Sequence, residues 1–350
     1  MGPFEYSKKC SFAIVLMFGV SEAVPYADWL SDFQDTLLVN LPVLPGSHDS
    51  GAMSISESAS WSAETGWPFA QTQTLSISEQ LNLGIRFLDL RLHVYYNEID
   101  IFDQIVISHL YDSSVTLDSV LSQVSDFLSA QPTEFVVLYL RIDSAHPLEG
   151  DVAAKSQFVV DTIVNSGVAI ADFTSISTIK VSAVAGKVLL LSPSGTVFPV
   201  STSSFNYIDS TVGYSICDIW QETTIGAAQS VLSACFPIVP VSGTITNVLT
   251  GYALDGTLNN SPPIDTSLVM NDWFFAEWSS NTNWVNRKNY PIGILLINFV
   301  SETYMSQVIG EALNSGSISI NDSGSSVTAK SAEKVGFGLF FVALVVVLTN

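Results

Sequence analysis

The feature that most limits how this chain can fold is a rhythm. Between residues 30 and 315, short runs rich in β-branched and aliphatic residues alternate with longer amphipathic or polar segments, and no internal repeat or long linker interrupts them. The runs that read as strands are Leu37 to Leu44, Ile85 to Leu92, Ile105 to His109, Phe135 to Asp143, Val188 to Ser192, Tyr214 to Trp220, Asp272 to Trp278 and Ile292 to Phe299. Helix signals lie between several of them. Ser76 to Leu83 opens on a Ser-Ile-Ser-Glu capping box, Leu117 to Ala130 puts Leu117, Val120, Leu121, Val124, Phe127 and Leu128 on one face, and Phe158 to Ser166 is apolar at helical spacing. Eight strands alternating with crossovers in one uninterrupted stretch predict an α/β fold, an irregular (β/α)8 barrel of the TIM type, as one domain over residues 24–315.

Such a barrel carries its chemistry at the C-terminal ends of its strands. His48 and Asp49 follow the first run there. Asp89, Arg91 and His93 alternate along the second and so share a face, and His109 closes the third. A single histidine after a strand is more often structural than catalytic; several converging on one barrel mouth reverse that expectation. His93 reads better as supporting packing, and His146, in a Ser-Ala-His-Pro loop, as solvated.

The two ends read differently from the middle. Lys8 and Lys9 precede the apolar stretch Cys10 to Val20, and Ser21-Glu22-Ala23 places small residues where a signal peptidase cuts, so residues 1–23 read as a secretory signal. Small and polar residues at Asn321 to Ser326, a polar spacer from Val327 to Lys334 and an almost wholly apolar Gly336 to Thr349 make residues 316–350 a spacer and glycolipid (GPI) attachment signal; a short tail-anchor helix is the other reading. The expected location is the extracellular face of the plasma membrane, or secretion. Residues 24–323 hold 8 Lys and Arg against 30 Asp and Glu, a net charge of −22. That surface repels nucleic acid and anionic headgroups, and it makes each cation worth locating. With Cys10 in the signal, Cys217 and Cys235 remain. In a secreted chain they most simply pair, a bridge contributing about 3 kcal/mol. Two cysteines without a nearby histidine do not make a zinc site. Asn259 begins an Asn-Asn-Ser glycosylation acceptor and Asn321 an Asn-Asp-Ser one.

The segments "LPGSHDSGA", "SISEQLNLGIRFLDLRL", "IVISHLY" and "SVLSQVSDFLSAQPTEFVVLYLRID" together resemble the X domain of phosphatidylinositol-specific phospholipase C, most strongly over residues 41–143 and traceably to about 312. The bacterial and X-domain-only types are the nearest in character. The resemblance implies attack of an inositol 2-hydroxyl on the adjoining phosphodiester, releasing diacylglycerol and a cyclic inositol phosphate. Such a step needs a base, a cation for the phosphorane charge and an acid for the leaving alcohol. By resemblance these are His48, Arg91 and His109, with Asp49 and nearby Asp89 expected to raise the His109 pKa. Calcium-dependent relatives carry a carboxylate where this chain has Arg91, and tend to have Asn where it has Asp49, so the expectation is chemistry with neither metal nor cofactor. Glu98, Asp100 and Asp103 form an acidic loop better read as solvated than as a calcium site.

Other positions match less fully. Arg141 lies near the family's inositol-binding lysine, and Asp218 with Trp220 resembles its Asp-x-Tyr pair, a carboxylate for ring hydroxyls and an aromatic for the sugar face. Where the family has an arginine after the fifth strand, this chain offers Ser192 and Pro193. Most consequential, Asn298 in "GILLINFVS" stands where the family has the aspartate that orients and charges the base histidine. An amide holds the ring but does not stabilise an imidazolium as a carboxylate does. Two functions therefore remain open: a monomeric, surface-anchored phosphodiesterase acting on inositol or glycosyl-inositol lipids, and a catalytically weakened binder of the same lipids or glycans. Trp61, Trp67 and Phe69 read equally as membrane-interface or loop-packing aromatics. A serine hydrolase is a poor third, since no Gly-x-Ser-x-Gly occurs.

Overall fold

A computed structural model describes residues 26–53, 55, 70–96, 104–148, 151–172, 178–193, 197–198, 207–209, 214–218, 222, 224–235, 249–254, 263–280 and 293–315, with backbone alone along 208–209, 214–218, 235, 249–254, 278–280 and 315. In chain order the strands are β1 (Leu44–Ser47), β2 (Phe87–Tyr95), β3 (Gln104–His109), β4 (Tyr111–Thr116), β5 (Val136–Ile142), β6 (Val188–Ser192), β7 (Ile208–Asp209), β8 (Tyr214–Asp218), β9 (Leu249–Leu254) and β10 (Ile294–Ile297). The parallel path runs β7-β6-β5-β2-β1-β10-β9-β8. This is the cyclic order of an eight-stranded barrel, and among the described residues its ends, β7 and β8, do not pair. The fold is thus a TIM-type α/β barrel with an open seam.

Helices cross back between the strands: Ile77–Asn82 after β1, Leu117–Ala130 before β5, Val152–Asn165 after β5, Ile225–Cys235 after β8, Pro263–Ser280 after β9 and Glu302–Ser315 after β10. Covered on both faces, the central strands are largely apolar. Every residue of β6 and β10 is buried, and Leu88, Leu90, Leu138, Leu140, Leu190 and Leu295 are inaccessible to solvent. The Ser76 capping box forms, each partner satisfying the other's backbone N–H. Leu117–Ala130 buries the six apolar residues that its spacing marks.

Three expectations need correction. Leu37 to Leu44 is not the first strand: a short 3-10 turn, Leu38–Asn40, occupies its middle, and β1 begins at Leu44. Apolar content alone does not distinguish a buried turn from a strand. Ile105 to His109 is a strand but not a barrel stave, since β3 and β4 form an antiparallel hairpin on the edge of β2. Asp272 to Trp278 lies inside the helix Pro263–Ser280, where aromatic content imitated β-propensity. The strand that takes its place is β9, "LTGYAL", whose glycine and alanine hid it.

Candidate active site

The strand ends β1, β2, β3, β5 and β10 gather one polar cluster in an otherwise apolar barrel. β1 stops in a turn where Ser47 and Ser50 hydrogen-bond each other, and Ser50 N–H donates to the Asp89 carbonyl at 2.7 Å. Asp49 has φ 42°, a left-handed conformation that aspartate tolerates better than most residues. Gly51 lets the turn press on β3, because a Cβ there would lie 2.5 Å from Ile107 Cγ2. His48, Asp49, Asp89 and Asn298 are all buried.

Asn298, just beyond β10, accepts from the His48 ring: Nδ1–H donates to its Oδ1 at 2.9 Å. That leaves His48 Nε2 facing the cluster, 3.2 Å from Asp49 Oδ2 and 3.3 Å from Arg91 Nη2. His109 comes from the other side. Its Nδ1–H donates to the Ala70 carbonyl at 2.7 Å, so Nε2 points inward, 3.3 Å from the same Asp49 oxygen. The two imidazoles stand edge to face with centroids 6.1 Å apart. Arg91 Nε lies 2.5 Å from Asp49 Oδ1, and Arg141 donates through Nε and Nη2 to the two oxygens of Asp89, at 2.9 and 2.5 Å.

The charges explain each other. Burial pushes the Asp49 carboxyl up, but Arg91, then His109, His48 and Arg141, together hold it below the usual carboxylate range. Arg141 is stabilised as a cation by Asp89 and Asp49 despite its burial. For His109 the expectation was wrong in sign. Asp49 does favour the imidazolium, yet burial first, helped by Arg91 and His48, drives the His109 pKa below its ordinary value. Neither Asp49 oxygen nor Arg91 Nε has an aligned hydrogen bond among the described residues, so these close contacts are Coulombic rather than directed. His48, Asp49 and Asp89 carry donor atoms close enough to share a metal ion, but Arg91 and Arg141 already stand against them.

A support the sequence did not announce is the buried segment Ala70 to Gln73. Gln73 Nε2 donates to the carbonyls of His48 and Ile297, both at 2.9 Å, and its Oε1 accepts from Val300 N–H. Thr72 Oγ1 donates to the Asp49 carbonyl at 3.0 Å, and its own carbonyl receives Phe299 N–H. "AQTQ" thus ties β1, β10 and His109 together, and the only sequence signal is an uncharged polar run just before a capping box. Asp143, at the end of β5, likewise accepts from Ser108 Oγ and Leu110 N–H on either side of His109.

The structure therefore brings together His48, Asp49, Asp89, Arg91, His109, Arg141 and Asn298. Arg141 faces Asp89 as well as the mouth. Asp218 and Cys217 lie on β8 and Cys235 ends a helix, with their side chains outside the description. Trp220, Asn259, Glu98, Asp100, Asp103, Trp61, Trp67, Phe69 and the two chain ends also lie outside the described residues. Ser192 is buried. His146, expected to be solvated, is half-buried and stacks on His93 with ring centroids 3.9 Å apart.

Residues 56–164 match the family model PI-PLC X. That match spans about a third of the chain. The chain is 29% identical over 126 residues to the 1-phosphatidylinositol phosphodiesterase of Listeria monocytogenes, covering 35% of each chain. With PI-PLC X domain-containing protein 3 of Danio rerio it shares 35% identity over 136 residues, 32% of this chain and 41% of that one. The chain thus spans under half the length of these curated relatives. Among solved structures, phosphatidylinositol-specific phospholipase C from Listeria monocytogenes superposes with TM-score 0.61 at 21% identity over 81% of this chain and 98% of that one. A mutant of the Staphylococcus aureus enzyme gives 0.62 at 16% identity over 83% and 98%. These neighbours share the barrel fold. Asp89, Arg91, His109 and Arg141 fall inside the matched X region; His48, Asp49 and Asn298 reach the cluster from outside it.

Proposed function

We propose that this chain is a phosphodiesterase that cleaves inositol lipids, or glycosyl-inositol lipids, by intramolecular attack. The observation that carries the reading is convergence: the Nε2 atoms of two histidines lie 3.2 and 3.3 Å from one carboxylate oxygen of Asp49, with Arg91 3.3 Å from one of them. A general base, a general acid and a fixed cation at that spacing suit displacement at phosphorus.

In the proposed step His48 Nε2 takes the proton of the inositol 2-hydroxyl, whose oxygen bonds to phosphorus. Asn298 keeps the other ring nitrogen protonated, so the lone pair faces the substrate. The bond from phosphorus to the lipid oxygen breaks, and His109 Nε2–H donates its proton to that oxygen. Diacylglycerol or its equivalent leaves, and the phosphate closes onto the inositol ring. Arg91 neutralises charge gathering on the non-bridging oxygens, while Asp49 and Asp89 hold Arg91 and Arg141 in place. With arginines in the cationic position, the reading needs no metal. Arg141, Asp218 and Trp220 are proposed to contact the inositol ring.

The sequence at the two ends supports an extracellular, GPI-held enzyme; no helix among the described residues is long and apolar enough to cross a membrane. On that side of a membrane, GPI anchors and complex inositol sphingolipids are the available substrates, and the acidic surface disfavours anionic leaflets. A second reading rests on Asn298: an amide against the His48 ring fits a barrel that binds inositol lipid with little turnover. Purified chain incubated in EDTA with a GPI-anchored reporter or phosphatidylinositol vesicles is expected to release product, and Arg91→Ala to abolish release. Failure to cleave any inositol phosphodiester overturns the enzyme reading.

A further inference from the structure

Beyond the catalytic cluster, three groups meet where β2 runs on past the end of β5 against the β3–β4 hairpin. His93 lies on β2, one alternation beyond Arg91; Asp112 lies on β4, and His146 in the turn after β5. One donor atom from each falls within 4.8 Å of the others. His93 Nδ1 is 2.9 Å from Asp112 Oδ1, and His146 Nε2 is 4.0 Å from the same oxygen. The Tyr95 hydroxyl donates to the second carboxylate oxygen, which leaves Oδ1 turned toward both imidazoles. Nε2 of His146 is buried and, among the described residues, makes no hydrogen bond. A buried ring nitrogen in that state is costly unless something binds it.

We propose that His93, Asp112 and His146 form a binding site for a divalent metal of the zinc type. Two imidazole nitrogens and one carboxylate oxygen are donors that zinc and its transition-metal neighbours take, whereas calcium and magnesium ask for oxygen throughout. Tyr95 acts as the outer partner that fixes the carboxylate. The imidazole planes are parallel within 3°, so their lone pairs run along separate lines. Coordination turns the His146 ring, on its loop, until both nitrogens reach about 2.0–2.1 Å from one point. The competing donor group, His48 with Asp49 and Asp89, faces two guanidiniums that repel a cation. The metal fastens the turn after β5 to β2 and the β3–β4 hairpin, next to Asp143 and hence to the backbone that carries His109.

The test is a zinc titration of chelator-treated full chain by calorimetry, paired with thermal unfolding. One zinc per chain and a rise in Tm are expected. His146→Ala and Asp112→Asn should each weaken binding at least about tenfold and remove the Tm rise, with far-UV circular dichroism unchanged, while His48→Ala leaves zinc binding intact. His146→Gln gives a second variant in the turn should the alanine fail to fold. Absence of saturable binding, or zinc affinity indifferent to both His146 and Asp112 substitutions, overturns the proposal.

Discussion

At the scale of single residues, Asn298 is the neutral partner set against the histidine proposed as base. Its Oδ1 lies 2.9 Å from His48 Nδ1, so geometry is intact and only charge is missing. Asn298→Asp supplies a carboxylate that stabilises the imidazolium formed when His48 takes the proton, and kcat is expected to rise at least about tenfold. His109 sets the other limit. Its pKa is held below the ordinary histidine value, chiefly by burial, so the free protein loses the protonated acid as pH rises through a value under about 6.5. The alkaline limb of kcat/KM is therefore expected on the acid side of 6.5. Asp49 opposes this depression, so Asp49→Asn should move the limb to still lower pH; a limb moving upward would contradict the arrangement. The same sign applies to stability: the neutral folded form of His109 contributes above its unfolded pKa, and the contribution fades as pH falls through the depressed folded value.

At the scale of elements, the β1 turn, the β10 end and the β3–β4 hairpin converge through short polar segments rather than through long helices. Gln73 bonds to carbonyls of both β1 and β10 and to the Val300 amide, all within the interior. Gln73→Ala leaves those groups unpaired, with an expected loss of about 1–3 kcal/mol in denaturant unfolding and a lower kcat from a displaced His48. This is also where legibility in the sequence stops. His48, Asp49, Asp89, Arg91 and His109 were readable because alternation along β2 and the motif after β1 put chemically telling residues at strand ends. Gln73 and Thr72 were not, since a buried amide and hydroxyl have no periodicity to betray them. Asp112 and His146 were missed for a related reason: the hairpin partner of β2 and the turn after β5 meet only in three dimensions. The β9 strand escaped because glycine and alanine give little β signal, and Asp272 to Trp278 misled because aromatic residues serve a buried helix equally well.

At the scale of the whole molecule, the two ends of the barrel divide the labour of one motif. Arg91 reaches the mouth, but Arg86, five positions earlier, is buried at the opposite end, where Nε donates to Glu134 at 2.7 Å and Nη1 to the carbonyls of Leu81 and Ile85, both at 2.8 Å. Its guanidinium also covers the Phe127 ring and caps the chain at Ala27. Burial lowers the Arg86 pKa and raises that of Glu134, each opposed by the other's charge, so each needs its partner. Arg86→Ala strands Glu134 in the interior and is expected to cost about 3–5 kcal/mol of stability; a loss under about 1 kcal/mol would contradict the pairing. The barrel class was legible from the alternation of runs, while the seam between β7 and β8 and the hairpin on β2 were not, because strand order is a property of packing.

The most direct test of the enzyme reading compares the natural chain with Asn298→Asp and His48→Ala in one assay, following cyclic inositol phosphate by phosphorus NMR in EDTA. The natural chain should form the cyclic product, Asn298→Asp should form it faster, and His48→Ala should form none. Cyclic product from Asn298→Asp alone, with the natural chain inert but still binding the lipid, would contradict the enzyme reading and leave the protein as a binder.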